Sequence, residues 1–79
     1  METMTILIDN IFDLKKFNNI AMTFPCEIDV VSGRYTVDGR SLMGLLSLDL
    51  SKPVHIKYRT EYHEIAKLYF TKFEVKAWE

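Results

Sequence analysis

The chain has 79 residues, ten basic and eleven acidic side chains, a net charge of −1 and 48% hydrophobic residues, the make-up of one small globular domain spanning residues 1–79. At this length folding buries only ~60% of the unfolded surface, so the core is thin. The charge balance lacks the basic footprint of a nucleic-acid binder, the single Cys26 excludes an internal disulfide, and no apolar run nears the ~20 residues of a membrane span.

The opening Met1-Glu2-Thr3-Met4 has neither the basic start nor the apolar run of a signal peptide. With one unpaired cysteine, this makes a reducing, cytoplasmic location the expectation. Residues 4–8 alternate, with Met4, Ile6 and Ile8 on one side and Thr5 and Leu7 on the other, which predicts a strand. Asp9 or Asn10 caps the next element, and Asp13 lies near the positive end of the helix dipole. Ile11, Leu14, Phe17, Ala21 and Phe24 recur at helical spacing, with Ile20 beside them. Lys15, Lys16, Asn18 and Asn19 form the opposite face, and Pro25 ends the helix.

Residues 26–31 and 34–38 read as a hairpin, with Ser32-Gly33 as its tight connection. Ile28 and Val30 share a face, as do Tyr35 and Val37. Ser41 then takes the N-cap position of a short helix from Leu42 to about Leu48. That segment puts six large apolar side chains within the nine residues 42–50. After the Ser51-Lys52-Pro53 loop, Val54, Ile56 and Tyr58 alternate with His55, Lys57 and Arg59 as a fourth strand. Tyr62, Ile65, Ala66, Tyr69 and Phe73 mark a closing helix, leaving Phe70 and Trp78 off its stripe. The aromatic end either wraps the domain or supports self-association. The order β-α-β-β-α-β-α predicts an α+β fold: a two-layer open-faced sandwich whose four-stranded, mostly antiparallel sheet carries three helices on one face.

Residues 24–58 resemble the HPr family, the small phosphocarrier proteins of the bacterial sugar phosphotransferase system. The family's segment Lys-Ser-Ile-Met-Gly, two hydrophobic residues, then Ser-Leu, corresponds to Arg40-Ser41-Leu42-Met43-Gly44-Leu45-Leu46-Ser47-Leu48. Phe24 and Ile28 fall in register, and the likeness runs through Ser51-Lys52-Pro53 into Val54-His55-Ile56. The resemblance implies the same fold and a protein-docking surface on the helix after the serine, at Arg40, Leu42, Met43 and Leu46. It also implies Ser41 as a regulatory phosphorylation site, and the adjacent Arg40 offers a cation for its phosphate.

The departure from the family lies at the first helix. HPr-like proteins carry phosphate on a histidine in a Gly-Leu-His-Ala-Arg-Pro-Ala stretch. Here Ile8-Asp9-Asn10-Ile11-Phe12-Asp13-Leu14-Lys15 holds no histidine, arginine, glycine or proline. Two carboxylates stand where a phosphoryl anion needs cations, and like charges repel. Phosphate relay by the family's route is therefore not expected.

Alternation puts His55 on the outer sheet face, and helical spacing puts His63 off the apolar stripe, so both read as solvated. Cys26 reads as a small, partly buried filler. No ligand spacing points to a metal, and no nucleophile–base pair or phosphate loop points to an enzyme. Arg34-Tyr35 and Lys57-Tyr58-Arg59 read as solvated strand residues rather than a nucleic-acid surface. Ser41 either caps a buried helix only, or forms a contact site with it. Leu45 and Leu48 face the sheet, whereas Leu42, Met43 and Leu46 either form an exposed patch or lie under neighbouring loops. Gly44 allows another backbone close, inside the domain or across an interface. The expected function is a non-catalytic binding module without cofactor, whose partner is a phosphotransferase-system component, a kinase or a transcription regulator. The alternative is a genuine phosphocarrier using a different residue.

Overall fold

The computed structural model describes residues 1–75, so Trp78 lies outside the described residues. Its elements are β1 (Glu2–Ile6), α1 (Ile11–Thr23), β2 (Asp29–Ser32), β3 (Tyr35–Asp38), α2 (Leu42–Leu46), β4 (Val54–Tyr58) and α3 (His63–Phe70). Single 3₁₀ turns, Thr60–Tyr62 and Thr71–Phe73, flank α3. The sheet order is β1-β4-β2-β3, with every neighbouring pair antiparallel. Met4 opposite Ile56, Ile56 opposite Val30, and Ile6 opposite Val54 make the buried face. Thr3 and Thr5 lie opposite Lys57 and His55 on the other face. All three helices add buried residues to the same core, including Leu14, Phe17 and Ala21 from α1, Leu45 from α2, and Ala66 and Phe70 from α3. The fold is the expected α+β open-faced sandwich.

Local chemistry explains the element ends. Asn10 caps α1, its side-chain oxygen accepting from the Asp13 N–H at 2.8 Å. The helix stops at Thr23, with Phe24 already extended before Pro25. The hairpin turns on Gly33-Arg34, with Ser32 paired to Tyr35. Gly33 has φ 60°, and among the described residues only this glycine has positive φ. Positive φ at the first of two loop residues matches the II′ turn that suits strand twist. β1 begins two residues earlier than predicted, at Glu2, because Glu2 and Thr3 find partners in Tyr58 and Lys57. α2 closes at Leu46, short of Leu48, because Ser47 caps it and its hydroxyl donates to the Gly44 carbonyl at 2.6 Å.

Two helix faces differ from expectation. On α1, Asn18 is buried and Ile11 is 45% exposed. Asn18 follows Leu14 by four residues and so belongs to the inward stripe by position. Its amide donates to the Gly39 carbonyl at 3.2 Å, which meets the hydrogen-bond need of a buried polar group. On α3, Ala66 and Phe70 are buried, as is Phe73 in the turn that follows, while Ile65 and Tyr69 are 39% and 46% exposed. The Phe70 ring lies 5.2 Å from Phe17 and 5.5 Å from Phe24, within the range of favourable aromatic pairs. Phe17 also meets Phe73 edge-on at 6.0 Å. Five of the eight residues in α3 are apolar, so helical spacing alone accepts more than one inward face; the aromatic contacts select one.

Glu74 and Val75 cover part of the outer edge of β1. Val75 N–H donates to the Thr5 carbonyl, and Leu7 N–H to the Phe73 carbonyl, each at 2.9 Å. β3 forms the opposite edge of the sheet. Among the described residues, no helix is long and apolar enough to cross a membrane.

Candidate functional site

The β3–α2 turn is held by a charge network. Arg40 reaches back to Asp38, with Nε to Oδ1 and Nη2 to Oδ2 both at 3.2 Å, and to Glu27 at 3.4 Å. The Arg40 backbone N–H also donates to Asp38 Oδ1 at 2.9 Å. The Arg40 side-chain hydrogen bond holds the Asp38 carboxyl below its ordinary range. Reciprocally, Asp38 raises the Arg40 guanidinium. Arg40, expected to stand ready for a phosphate on Ser41, is already engaged with two carboxylates.

Ser41 is exposed, and its hydroxyl oxygen accepts from the Gly44 N–H at 3.1 Å. The capping role is therefore real, and the residue lies at the surface. Helical spacing then divides α2. Leu45 is fully buried against the sheet, Leu42 and Leu48 are half-buried, and Met43 and Leu46 are 81% and 51% exposed. The proposed patch is thus carried by Met43 and Leu46, with Leu42 at its inner margin. A Cβ added to Gly44 would lie 3.2 Å from Val37 Cβ, so the close approach occurs inside the domain, between α2 and β3.

The mouth of α1 lies beside α2. A cleft of about 430 Å³ opens there, its apolar lining made by Leu7, Ile8, Ile11, Leu14, Leu46 and Leu50, with Asp9, Asn10 and Ser51 completing it. Asn10 Nδ2 donates to Asp9 Oδ1 at 3.0 Å and to Asp13 Oδ2 at 3.2 Å, so one amide holds two carboxylates. Asp49 lies two residues before Ser51. Hydrogen bonds from the Ser51 hydroxyl and N–H, at 2.6 and 3.1 Å, keep its pKa low. The cleft was not legible in the sequence, because its walls come from segments forty residues apart. Its one local sign was Leu7, an apolar residue on the outward phase of the first strand.

His55 is exposed on the outer sheet face, as expected, whereas His63 is half-buried. His55 Nδ1 lies 3.0 Å from Thr5 Oγ1 across the open sheet face. His63 Nδ1 lies 2.7 Å from the Tyr58 hydroxyl and 3.5 Å from Glu2, and its ring stacks on Tyr58 at 10°. Burial raises the Tyr58 pKa, and the Glu2 and Glu74 charges add to it. Sequence spacing missed this because Tyr58 ends β4 while the 3₁₀ turn folds His63 back over it. The neighbouring Arg59 pairs with Glu61 at 2.8 Å. The charge placed beside His63 is thus the Glu2 carboxylate, which opposes an anion. Cys26 is half-buried, as a filler would be. Among the described residues, no three His, Cys, Asp or Glu side chains cluster as metal ligands would.

No protein-family profile matches the chain, and a search of curated proteins also finds no match.

Proposed function

We propose that this chain is a non-catalytic, HPr-like protein-binding module that works in the cytoplasm, docks a protein partner through α2 and carries no phosphate at α1. The observation that carries this reading is the division of α2. A five-residue helix is pinned by one fully buried residue, Leu45, while Met43 and Leu46 face outward. Burying such residues against a partner is favourable by ~25 cal/mol per Å² of apolar area. A flexible thioether beside a leucine is a common recognition surface. The partner class is a phosphotransferase-system component, kinase or transcription regulator, on the resemblance of residues 24–58.

Three further features support the loss of phosphate relay. The α1 mouth presents Asp9 and Asp13, its cap position is filled by Asn10, and the histidine beside β4 faces Glu2. Ser41 is the regulatory position in this reading. A phosphate there adds a charge of about −1.5 to −2 beside the patch and competes with Asp38 for Arg40.

The test is recovery of partners from the host. Tagged wild type and Met43→Asp are compared by quantitative mass spectrometry. Phosphotransferase-system or regulatory proteins enriched on wild type and lost on the variant support the reading, and equal recovery on both overturns it. Incubation with phosphoenolpyruvate and the first enzyme of the sugar system is expected to leave the chain unlabelled. An acid-labile phosphate on His55 or His63 would establish the phosphocarrier alternative instead.

A further inference from the structure

β3 is an edge of the sheet, and the ladder beside it fixes which of its backbone groups point outward. The Gly39 N–H donates to the Ile28 carbonyl at 2.7 Å, so these two residues form a hydrogen-bonded pair in line with the β2–β3 register. Such pairs alternate along an antiparallel ladder. Val30–Val37 and Ser32–Tyr35 are therefore bonded, while Thr36 and Asp38 turn their backbone groups away from β2. The Asp38 carbonyl accepts from the Ser41 N–H. The Thr36 N–H and C=O and the Asp38 N–H are left facing the open edge.

The side chains along this edge complement themselves. Laid antiparallel on a second copy and centred on Thr36, the segment Arg34-Tyr35-Thr36-Val37-Asp38 sets Arg34 opposite Asp38, Tyr35 opposite Val37, and Thr36 opposite Thr36. Opposite charges, an aromatic with a β-branched residue, and two threonines are all cross-strand pairs that stabilise a sheet. Centring on Val37 instead sets Thr36 opposite Asp38 and separates Arg34 from the carboxylate. Among the described residues, Arg34 makes no ion pair within 4.0 Å. Arg40 is shared by two carboxylates, Asp38 and Glu27, so that network has room for a second cation. Tyr35 is 72% exposed, and Val37 of a second copy would cover part of its ring.

From this pattern we infer that β3 pairs with β3 of a second copy of the chain, antiparallel and centred on Thr36, so that two sheets join edge to edge. The inference is independent of docking through α2. A four-residue edge is small beside the roughly 1,200–2,000 Å² of a stable interface, so the dimer is weak, with a dissociation constant on the order of 1 mM.

The first test uses the full chain carrying Cys26→Ser, which removes the native thiol. Hydrogen-bonded antiparallel pairs hold their Cα atoms about 5.5 Å apart, a spacing a disulfide spans without strain. Thr36→Cys stands opposite itself and is expected to give a disulfide-linked dimer on mild oxidation. Thr3→Cys, exposed on the far edge strand, reports random collision and is expected to lag well behind. The second test follows amide chemical shifts of the wild-type chain on dilution from about 2 mM to about 0.05 mM, a range that brackets the dimer. The Thr36 and Asp38 signals are expected to move. Thr36→Pro deletes an outward N–H, a change an edge strand accommodates, and Arg34→Glu sets a carboxylate opposite Asp38. Each should weaken the dimer roughly tenfold. Arg34→Glu lies at an exposed turn position, so it decides the matter even where circular dichroism shows Thr36→Pro misfolded. Unchanged shifts on dilution, equal cross-linking at positions 36 and 3, a dimer indifferent to Arg34→Glu, or an edge that takes strands of other proteins but not its own each overturns the inference.

Discussion

Ser41 shows how one side chain can be read for structure and for function together. Its oxygen accepts the Gly44 N–H, a bond expected to stabilise the first turn of α2 by ~1 kcal/mol. Ser41→Ala should therefore lower the unfolding free energy in urea by that amount, whereas Ser41→Asp, which can also cap, should restore most of it. A loss with alanine that aspartate does not recover would deny the capping role. Asp38 carries a pH signature. Its folded pKa lies below the ordinary 3.8 because Arg40 donates to it. A carboxylate with a depressed pKa adds stability that is present above its unfolded pKa and lost as pH falls through the folded one. Asp38 is half-exposed, so screening keeps the effect small. The stability difference between wild type and Asp38→Asn should be constant near neutrality and shrink only below about pH 4. Urea titrations across that range check the sign. A gap that widens in acid would contradict the pairing with Arg40.

Among the elements, legibility followed how sharply each pattern alternates. β4 reads correctly because Val54, Ile56 and Tyr58 alternate with the polar His55 and Lys57, and a strand has only two faces. The hairpin itself was legible from Gly33, but its turn is Gly33-Arg34 rather than Ser32-Gly33, and β2 starts at Asp29 rather than at residue 26. Helices have more possible faces. Asn18 misleads because a polar residue holds an inward position, and its compensating partner, Gly39, lies twenty-one residues away. α3 misleads because apolar residues surround most of it, so the inward face depends on rings contributed by α1. The same applies to the site. The Ser41 cap was readable from local sequence, and the exposure of Met43 decides between two alternatives the sequence left open, but the Tyr58–His63 contact and the cleft exist only after the chain has closed. α3 yields a direct comparison. Phe70→Ala should cost about 3–5 kcal/mol, as a core aromatic truncation does, while Ile65→Ala should cost well under half as much. Chemical denaturation of the two variants measures both. Equal losses would contradict Phe70, rather than Ile65, as the inward position of α3.

At the scale of the whole molecule, the sheet is asymmetric in how its edges are protected. An open strand edge presents unpaired N–H and C=O groups that template pairing with another chain. β3 is only four residues long, and α2 packs against it, which limits that hazard at one side. β1 is protected differently: Val75 donates to Thr5, and Glu74 bridges to Ile6. The chain therefore uses its own distal segment to close the edge where its first strand lies. Cutting the chain after Phe73 keeps the bond from Leu7 to the Phe73 carbonyl but removes the cover from Thr5 and Ile6. The aromatic cluster of Phe17, Phe24, Phe70 and Phe73 is untouched, so the truncated domain should still fold. Its stability should fall by about 1 kcal/mol for each backbone bond lost. Its mass in light scattering should rise with concentration, as uncovered β1 edges pair. Val75→Pro separates the two effects, since it deletes the single N–H donor while leaving the rest of the segment to shield the strand. If the truncated chain stays monomeric at concentrations where short edge strands associate, the segment contributes pairing energy alone and the fold protects β1 by other means.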